Sequence, residues 1–204
     1  MSNHNGGAFA LLAGIAVIAI GIGMTVSCAS VSGAKGKSAV LVIPAKEVQD
    51  KELTETKKAL EEAGVKVTIA APSLNPVNGM LGGSFTPDID IASIDPAKYD
   101  LIACIGGMGV FDIWADPVYI EKVQAFHTKG KYVTAICGAS AVLANAGLLK
   151  GVEATCFPYD PIIALLKEKG ALYTDKTVVV SGKIITGNGP DASVPFGKAL
   201  AALF

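Results

Sequence analysis

The sequence predicts an α/β sandwich with a mostly parallel sheet, preceded by an apolar amino-terminal helix. Three observations carry this. From Ala39 onward, short apolar runs alternate with segments of helical periodicity. The runs Ala39-Val-Leu-Val-Ile43, Leu101–Ile105 and Tyr132–Ile136 are apolar at nearly every position, as strands covered on both faces are. Before them, Ala8 to Val31 is a stretch of 24 residues without a charge.

About 20 such residues span the hydrocarbon core of a bilayer. A helix on a soluble core would show polar positions at helical spacing, and the run Phe9–Met24 shows none. Insertion in a membrane is therefore expected, in one of two modes. Thr25-Val-Ser-Cys28, followed by Ala29 and Ser30, resembles a bacterial lipoprotein cleavage site, which would anchor an extracytoplasmic domain at Cys28. However, Thr25 stands where a branched aliphatic is usual, and Met1 to Gly7 lacks the basic residues of a signal peptide. Lys35 and Lys37 follow the apolar run, which favours an uncleaved single-pass anchor with the domain on the cytoplasmic side. Residues 1–37 thus form an anchor or signal segment with a short linker, and residues 38–204 form the domain.

Within the domain, Ala39–Ile43 is the first core strand. Glu47 to Ala63 has helical periodicity through Val48, Leu53 and Leu60, with Gly64 as its stop. Val65–Ala70 is the next strand, and the Gly-, Pro- and Asn-rich stretch from Asn75 to Asp90 predicts a small hairpin or loop excursion. Leu101–Ile105 ends at Gly106-Gly107, and Pro117–Lys129 forms a helix. Strand Tyr132–Ile136 runs into Cys137 and a further helix. Glu153–Phe157 reads as a strand, Pro161–Lys169 as a helix, and Thr177–Ser181 with Lys183–Thr186 as a hairpin about Gly182. A last helix covers Ser193–Leu203.

Composition narrows the function. The net charge is −1 without a basic cluster, so no nucleic-acid partner is expected. Four cysteines (Cys28, Cys104, Cys137 and Cys156) lack C-x-x-C spacing, and only two histidines accompany them. No zinc-type metal site and no cofactor is expected.

Cys137 stands out because an apolar strand stops on it, small residues follow, and a helical pattern begins. That is the form of a nucleophile elbow, which exposes the thiol at the carboxyl edge of the sheet before a helix N-terminus that favours thiolate. The plain alternative is a buried structural cysteine. Ligands in such sheets bind beyond the carboxyl ends of the strands, at the switch in strand order. Gly106 and Gly107 end their strand at that edge, so their amides, with that of Gly138, are candidates for an oxyanion hole. Glu52, in the first turns after strand one, lies at the same edge and can exchange a proton with the thiol. His127 precedes the strand that delivers Cys137, which puts it about 15–20 Å away at the opposite edge. His4 precedes the membrane segment, so no Cys-His dyad is expected. Cys104 reads as core, a Cys137–Cys156 disulfide depends on where Phe157 points, and Trp114 lines either a pocket, a lid or a dimer contact.

Several segments in order resemble the ThiJ/PfpI family, which includes Parkinson disease protein 7 and has a class I glutamine amidotransferase-like fold. They are Leu41-Val-Ile-Pro-Ala-Lys-Glu-Val-Gln-Asp-Lys-Glu52-Leu, Ala63-Gly-Val-Lys-Val-Thr68 and Tyr99-Asp-Leu-Ile-Ala-Cys-Ile-Gly-Gly107. Ala135-Ile-Cys-Gly-Ala-Ser-Ala-Val-Leu, Ala146-Gly-Leu-Leu-Lys-Gly151 and Gly182-Lys-Ile-Ile-Thr-Gly-Asn-Gly-Pro190 continue the series. The resemblance covers roughly residues 38–204 and implies a flavodoxin-like three-layer sandwich that forms a homodimer. It implies Cys137 as the elbow cysteine, Glu52 as its carboxyl partner, and Gly106 and Gly107 as the oxyanion-type pair. Two histidine positions of the family are occupied otherwise, by Gly138 directly after the cysteine and by Phe157 before Pro158.

Three functions follow as expectations. One is an enzyme of reduced machinery in which Cys137 attacks a small electrophilic carbonyl, of glyoxalase, deglycase or hydrolase type. The second is a sensor of oxidative stress in which Cys137 is oxidised to sulfinate, and the third is a tethered binding module.

Overall fold

The computed structural model describes residues 36–204; the expected membrane segment at residues 8–31, with Cys28, lies outside the described residues. Among the described residues no helix is long and apolar enough to cross a membrane.

The domain runs β1 (Ser38–Val42), α1 (Asp50–Glu62), β2 (Lys66–Ala71), β3 (Val77–Asn78), β4 (Ser84–Phe85), β5 (Ile89–Asp90) and β6 (Leu101–Cys104). It continues with α2 (Pro117–Thr128), β7 (Tyr132–Ile136), α3 (Ser140–Asn145), β8 (Glu153–Ala154) and α4 (Asp160–Glu168). β9 (Leu172–Tyr173), β10 (Val178–Ser181), β11 (Ile184–Gly187) and α5 (Ser193–Ala201) complete it. Seven strands form the main sheet in the order β10-β11-β7-β6-β1-β2-β5, parallel except for the β10–β11 hairpin.

Alternate residues of the central strands feed two separate cores, which is why their sequence is continuously apolar. Val40, Val42, Ile102 and Val133 face α2, α3 and α4, where Tyr119, Val123, Phe126 and Leu143 pack. Ala39, Leu41, Leu101 and Ala103 face α1 and α5, against Leu53, Leu60, Phe196 and Leu200. The result is the expected flavodoxin-like three-layer fold.

Three boundaries differ from the sequence reading. α1 begins at Asp50 rather than Glu47, because Gln49 caps it by accepting a hydrogen bond from Lys51 N–H at 2.8 Å. Val48 is drawn out of the helix into backbone bridges with Gly79 and Gly107. The expected strand Glu153–Phe157 is only β8, which pairs with β9 outside the main sheet. The helix after Cys137 starts with a 3₁₀ turn at Cys137–Ala139, and α3 proper has only six residues. The excursion between β2 and β6 contains the β3–β4 hairpin, and β5 then returns to the sheet edge.

The chain leaves β1 toward β2 on one side, while β6 flanks β1 on the other, so strand order switches between β1 and β6. The segments after β1, β6 and β7 meet there.

Candidate active site

Cys137 immediately follows β7 with φ 63°, a left-handed conformation rare for a residue with a side chain. Only a well-packed surround holds such a turn, and strain of this kind concentrates at functional sites. The sequence placed the thiol in the open at the sheet edge; in the structure Cys137 is only 9% exposed and is reached through a cavity. Val110 and Ile162 close over the neighbouring turn.

Glu52 sits in the first turn of α1 and is completely buried, not a solvated helix charge. Its Oε2 accepts the Gly106 amide at 2.9 Å, while Oε1 has no hydrogen-bond partner. Gly106 lies between acid and thiol. A Cβ there would stand 2.6 Å from Glu52 Oε2 and 2.5 Å from Cys137 Cβ, so only glycine lets the two side chains approach. Burial pushes Glu52 up to about 7, opposed by the Cys137 thiol and the Gly106 amide, which favour the carboxylate.

Cys137 is pushed far above the ordinary thiol range, first by burial and then by the Glu52 charge. The Gly138 and Gly107 amides pull it back by hydrogen bonding to the sulfur, but they do not outweigh burial. Burial and the Glu52 charge thus oppose the thiolate that a helix N-terminus favours, and α3, with six residues, is a short source of dipole. Acid and thiol are coupled through the side-chain hydrogen bond between them.

The structure thus brings together all five residues singled out in the sequence, with one change of role. The Gly106 amide is committed to Glu52, which leaves Gly107 and Gly138 as the amides directed at the thiol. Gly107 adopts φ 121° in the segment where Val48 bridges to it. His127 lies on the last turn of α2, exposed and before β7, at the edge away from Cys137. The free thiols Cys104 and Cys156 are buried, and burial pushes both up to about 12. Among the described residues no three His, Cys, Asp or Glu side chains gather to hold a metal ion.

The two histidine-bearing family positions are sterically occupied. A Cβ on Gly138 would come 2.7 Å from Val110 Cγ2, and Phe157 packs against Gly189 at the cavity wall. The cavity, of about 340 Å³, also draws on Gln49, Met80, Met108, Phe111, Tyr159 and Ile162, which sequence reasoning missed. The only signal was the apolar Met108-Gly-Val-Phe111 run after the glycine pair. Trp114 does not line this cavity; it packs behind Phe111, ring centroids 4.8 Å apart.

Fold and site define a cysteine-elbow α/β domain with a buried acid partner. The sequence pattern of the DJ-1/PfpI family matches residues 37–203, and the chain belongs to that family. It is 38% identical over 164 residues to an uncharacterized protein of Methanocaldococcus jannaschii, covering 80% of each chain. It is 28% identical over 160 residues to the glutathione-independent glyoxalase DJR-1.2 of Caenorhabditis elegans, covering 78% of this chain and 84% of that one. The ThiJ/PfpI domain protein of Brachyspira murdochii superposes with a TM-score of 0.79 at 29% identity, over 84% of this chain and 97% of that one.

Proposed function

We propose that the domain converts α-oxoaldehydes to 2-hydroxy acids through a covalent adduct on Cys137. The observation that carries this is the buried Glu52, whose carboxyl group lies beside the Cys137 side chain across Gly106. In the first step Cys137 sulfur bonds to the aldehyde carbon as its proton passes to Glu52. The carbonyl oxygen develops charge toward the Gly107 and Gly138 amides and takes the proton back, giving a hemithioacetal. Glu52 then removes the proton on the former aldehyde carbon and returns it to the adjacent carbon, which yields a thioester of the 2-hydroxy acid. Water cleaves the thioester and restores the thiol. One water is consumed, and the oxidation of one carbon balances the reduction of its neighbour.

Similarity to a glyoxalase supports this class of reaction; a deglycase or hydrolase would use the same first step. The test is release of lactate from methylglyoxal or mandelate from phenylglyoxal by the purified full-length chain. Equal rates for wild type and Cys137→Ala overturn it.

A second reading is favoured by the raised Glu52. A protonated acid beside the thiol would donate a hydrogen bond to a sulfinate formed when two peroxides oxidise Cys137 and leave as water. Graded peroxide should then oxidise Cys137 before Cys104 and Cys156, and uniform oxidation refutes it. We place the domain on a membrane through residues 8–31, as a single-pass anchor or as a lipoprotein at Cys28. Retention in the membrane pellet after alkaline carbonate, with intact mass separating the two modes, checks this. A homodimer is the proposed assembly, tested by sedimentation.

A further inference from the structure

We propose that the cavity selects electrophiles with a bulky apolar substituent, aryl or branched-alkyl α-oxoaldehydes, over methylglyoxal and over charged conjugates. This rests on the carbonyl reading of Cys137 and names its substrate class.

Two features point the same way. The cavity in front of Cys137 holds about 340 Å³, within the range of small-molecule sites, and a methyl substituent would fill only a fraction of it. No charged side chain lines it, and of its polar side chains Gln49 already spends Oε1 on the α1 cap. A carboxylate or phosphate on the substrate would lose its hydration there without gaining a cation.

The second feature is the mouth. Of the ten large apolar side chains exposed among the described residues, five surround this one opening: Met80, Met108, Phe111, Phe157 and Tyr159. Phe111 and Tyr159 meet edge to face with centroids 6.1 Å apart, which leaves ring surface toward the entrance. Met80 and Met108 supply adaptable apolar contact from the opposite loops. Exposed apolar surface gathered on a pocket rim is removed from water when an apolar ligand enters.

The test separates binding preference from turnover. The full-length chain is treated with N-phenylmaleimide and with N-methylmaleimide, and labelling of Cys137 is followed by peptide mass spectrometry. Each rate is divided by that of free glutathione. In parallel, kcat/KM is measured for phenylglyoxal and methylglyoxal. The expected phenyl-to-methyl ratio is at least tenfold in the labelling assay, equivalent to about 1.4 kcal/mol. It should fall toward unity in Phe157→Asn and Phe111→Ser, two exposed rim positions that leave the core untouched. A ratio near unity in the wild type, or one unchanged in both variants, overturns the proposal. So does self-association that is abolished by Met108→Glu together with a ratio near unity, which assigns the rim to a second copy. A tenfold ratio without 2-hydroxy acid release upholds apolar selection and removes the turnover reading instead.

Discussion

Replacing Glu52 by glutamine should make the protein more stable at alkaline pH, although it removes the acid on which the chemistry depends. Glutamine keeps the shape of the side chain, and its carbonyl oxygen can still accept the Gly106 amide that now sits 2.9 Å from Oε2. What disappears is a buried charge. Burial raises the Glu52 carboxyl from its ordinary 4.5 to about 7, so the folded protein holds this proton more tightly than the unfolded chain does. Stability from this group is fully present below pH 4.5 and is lost as pH rises toward 7. At about 1.4 kcal/mol for each pH unit, the loss amounts to about 3 kcal/mol by pH 8. Burial and the same carboxylate push the Cys137 thiol upward, away from this window. Denaturant unfolding of wild type and Glu52→Gln at about pH 4 and pH 8.5 should therefore give near-equal stabilities at the lower pH. At the higher pH the variant should lead by about 3 kcal/mol, or roughly 6–12 °C in Tm for a domain of this size. A variant less stable than wild type by the same amount at both values refutes the idea that charge burial dominates at this position.

The same substitution should lower the pH midpoint of Cys137 alkylation, because both the charge and the hydrogen bond of Glu52 oppose thiolate, while 2-hydroxy acid formation falls by about 10²–10⁴. An unchanged midpoint with intact turnover would show that the carboxyl is not coupled to the thiol. Gly106→Ala forces its Cβ between Glu52 Oε2 and Cys137 and should cost about 1–3 kcal/mol in denaturant titrations. Asp50 accepts hydrogen bonds from Leu81 and Gly83 at 2.8 and 2.7 Å and so ties the β3–β4 turn that carries Met80 to α1. Asp50→Ala should speed hydrogen exchange at those two amides and raise KM more than it lowers kcat; slow exchange there would mean the turn holds itself.

The layered fold was legible because its physics is written locally. Val40 and Leu41 face different cores, so β1 had to be apolar at both. Glycines and helical periodicity then separated the elements. Cys137 was legible from the strand-to-helix break, but its burial was not, since Val110 and Ile162, which close over the adjoining Gly138, come from distant segments. Position put Glu52 at the right edge, but only the family resemblance set it above a solvated helix charge, because a glutamate on a helix ordinarily faces water. That Gly106 would give its amide to Glu52 depends on where a carboxyl points, which spacing cannot encode. The cavity was least legible of all, because Met80, Met108, Phe111 and Tyr159 come from loops without a period.

The packing of Val110 against Gly138 also sets the order in which this site could acquire a histidine. Gly138 does not occupy the left-handed region, so its backbone would accept a side chain; the obstacle is Val110 Cγ2, 2.7 Å from where a Cβ would stand. Introduced alone, an imidazole would displace the wall of the cavity before it could reach the thiol. If position 110 shrinks first, the same imidazole gains room. A path from this acid-only centre to a histidine-assisted one therefore runs through residue 110, and a laboratory lineage that reaches Gly138→His should carry Val110→Ala or Val110→Gly as its earlier step.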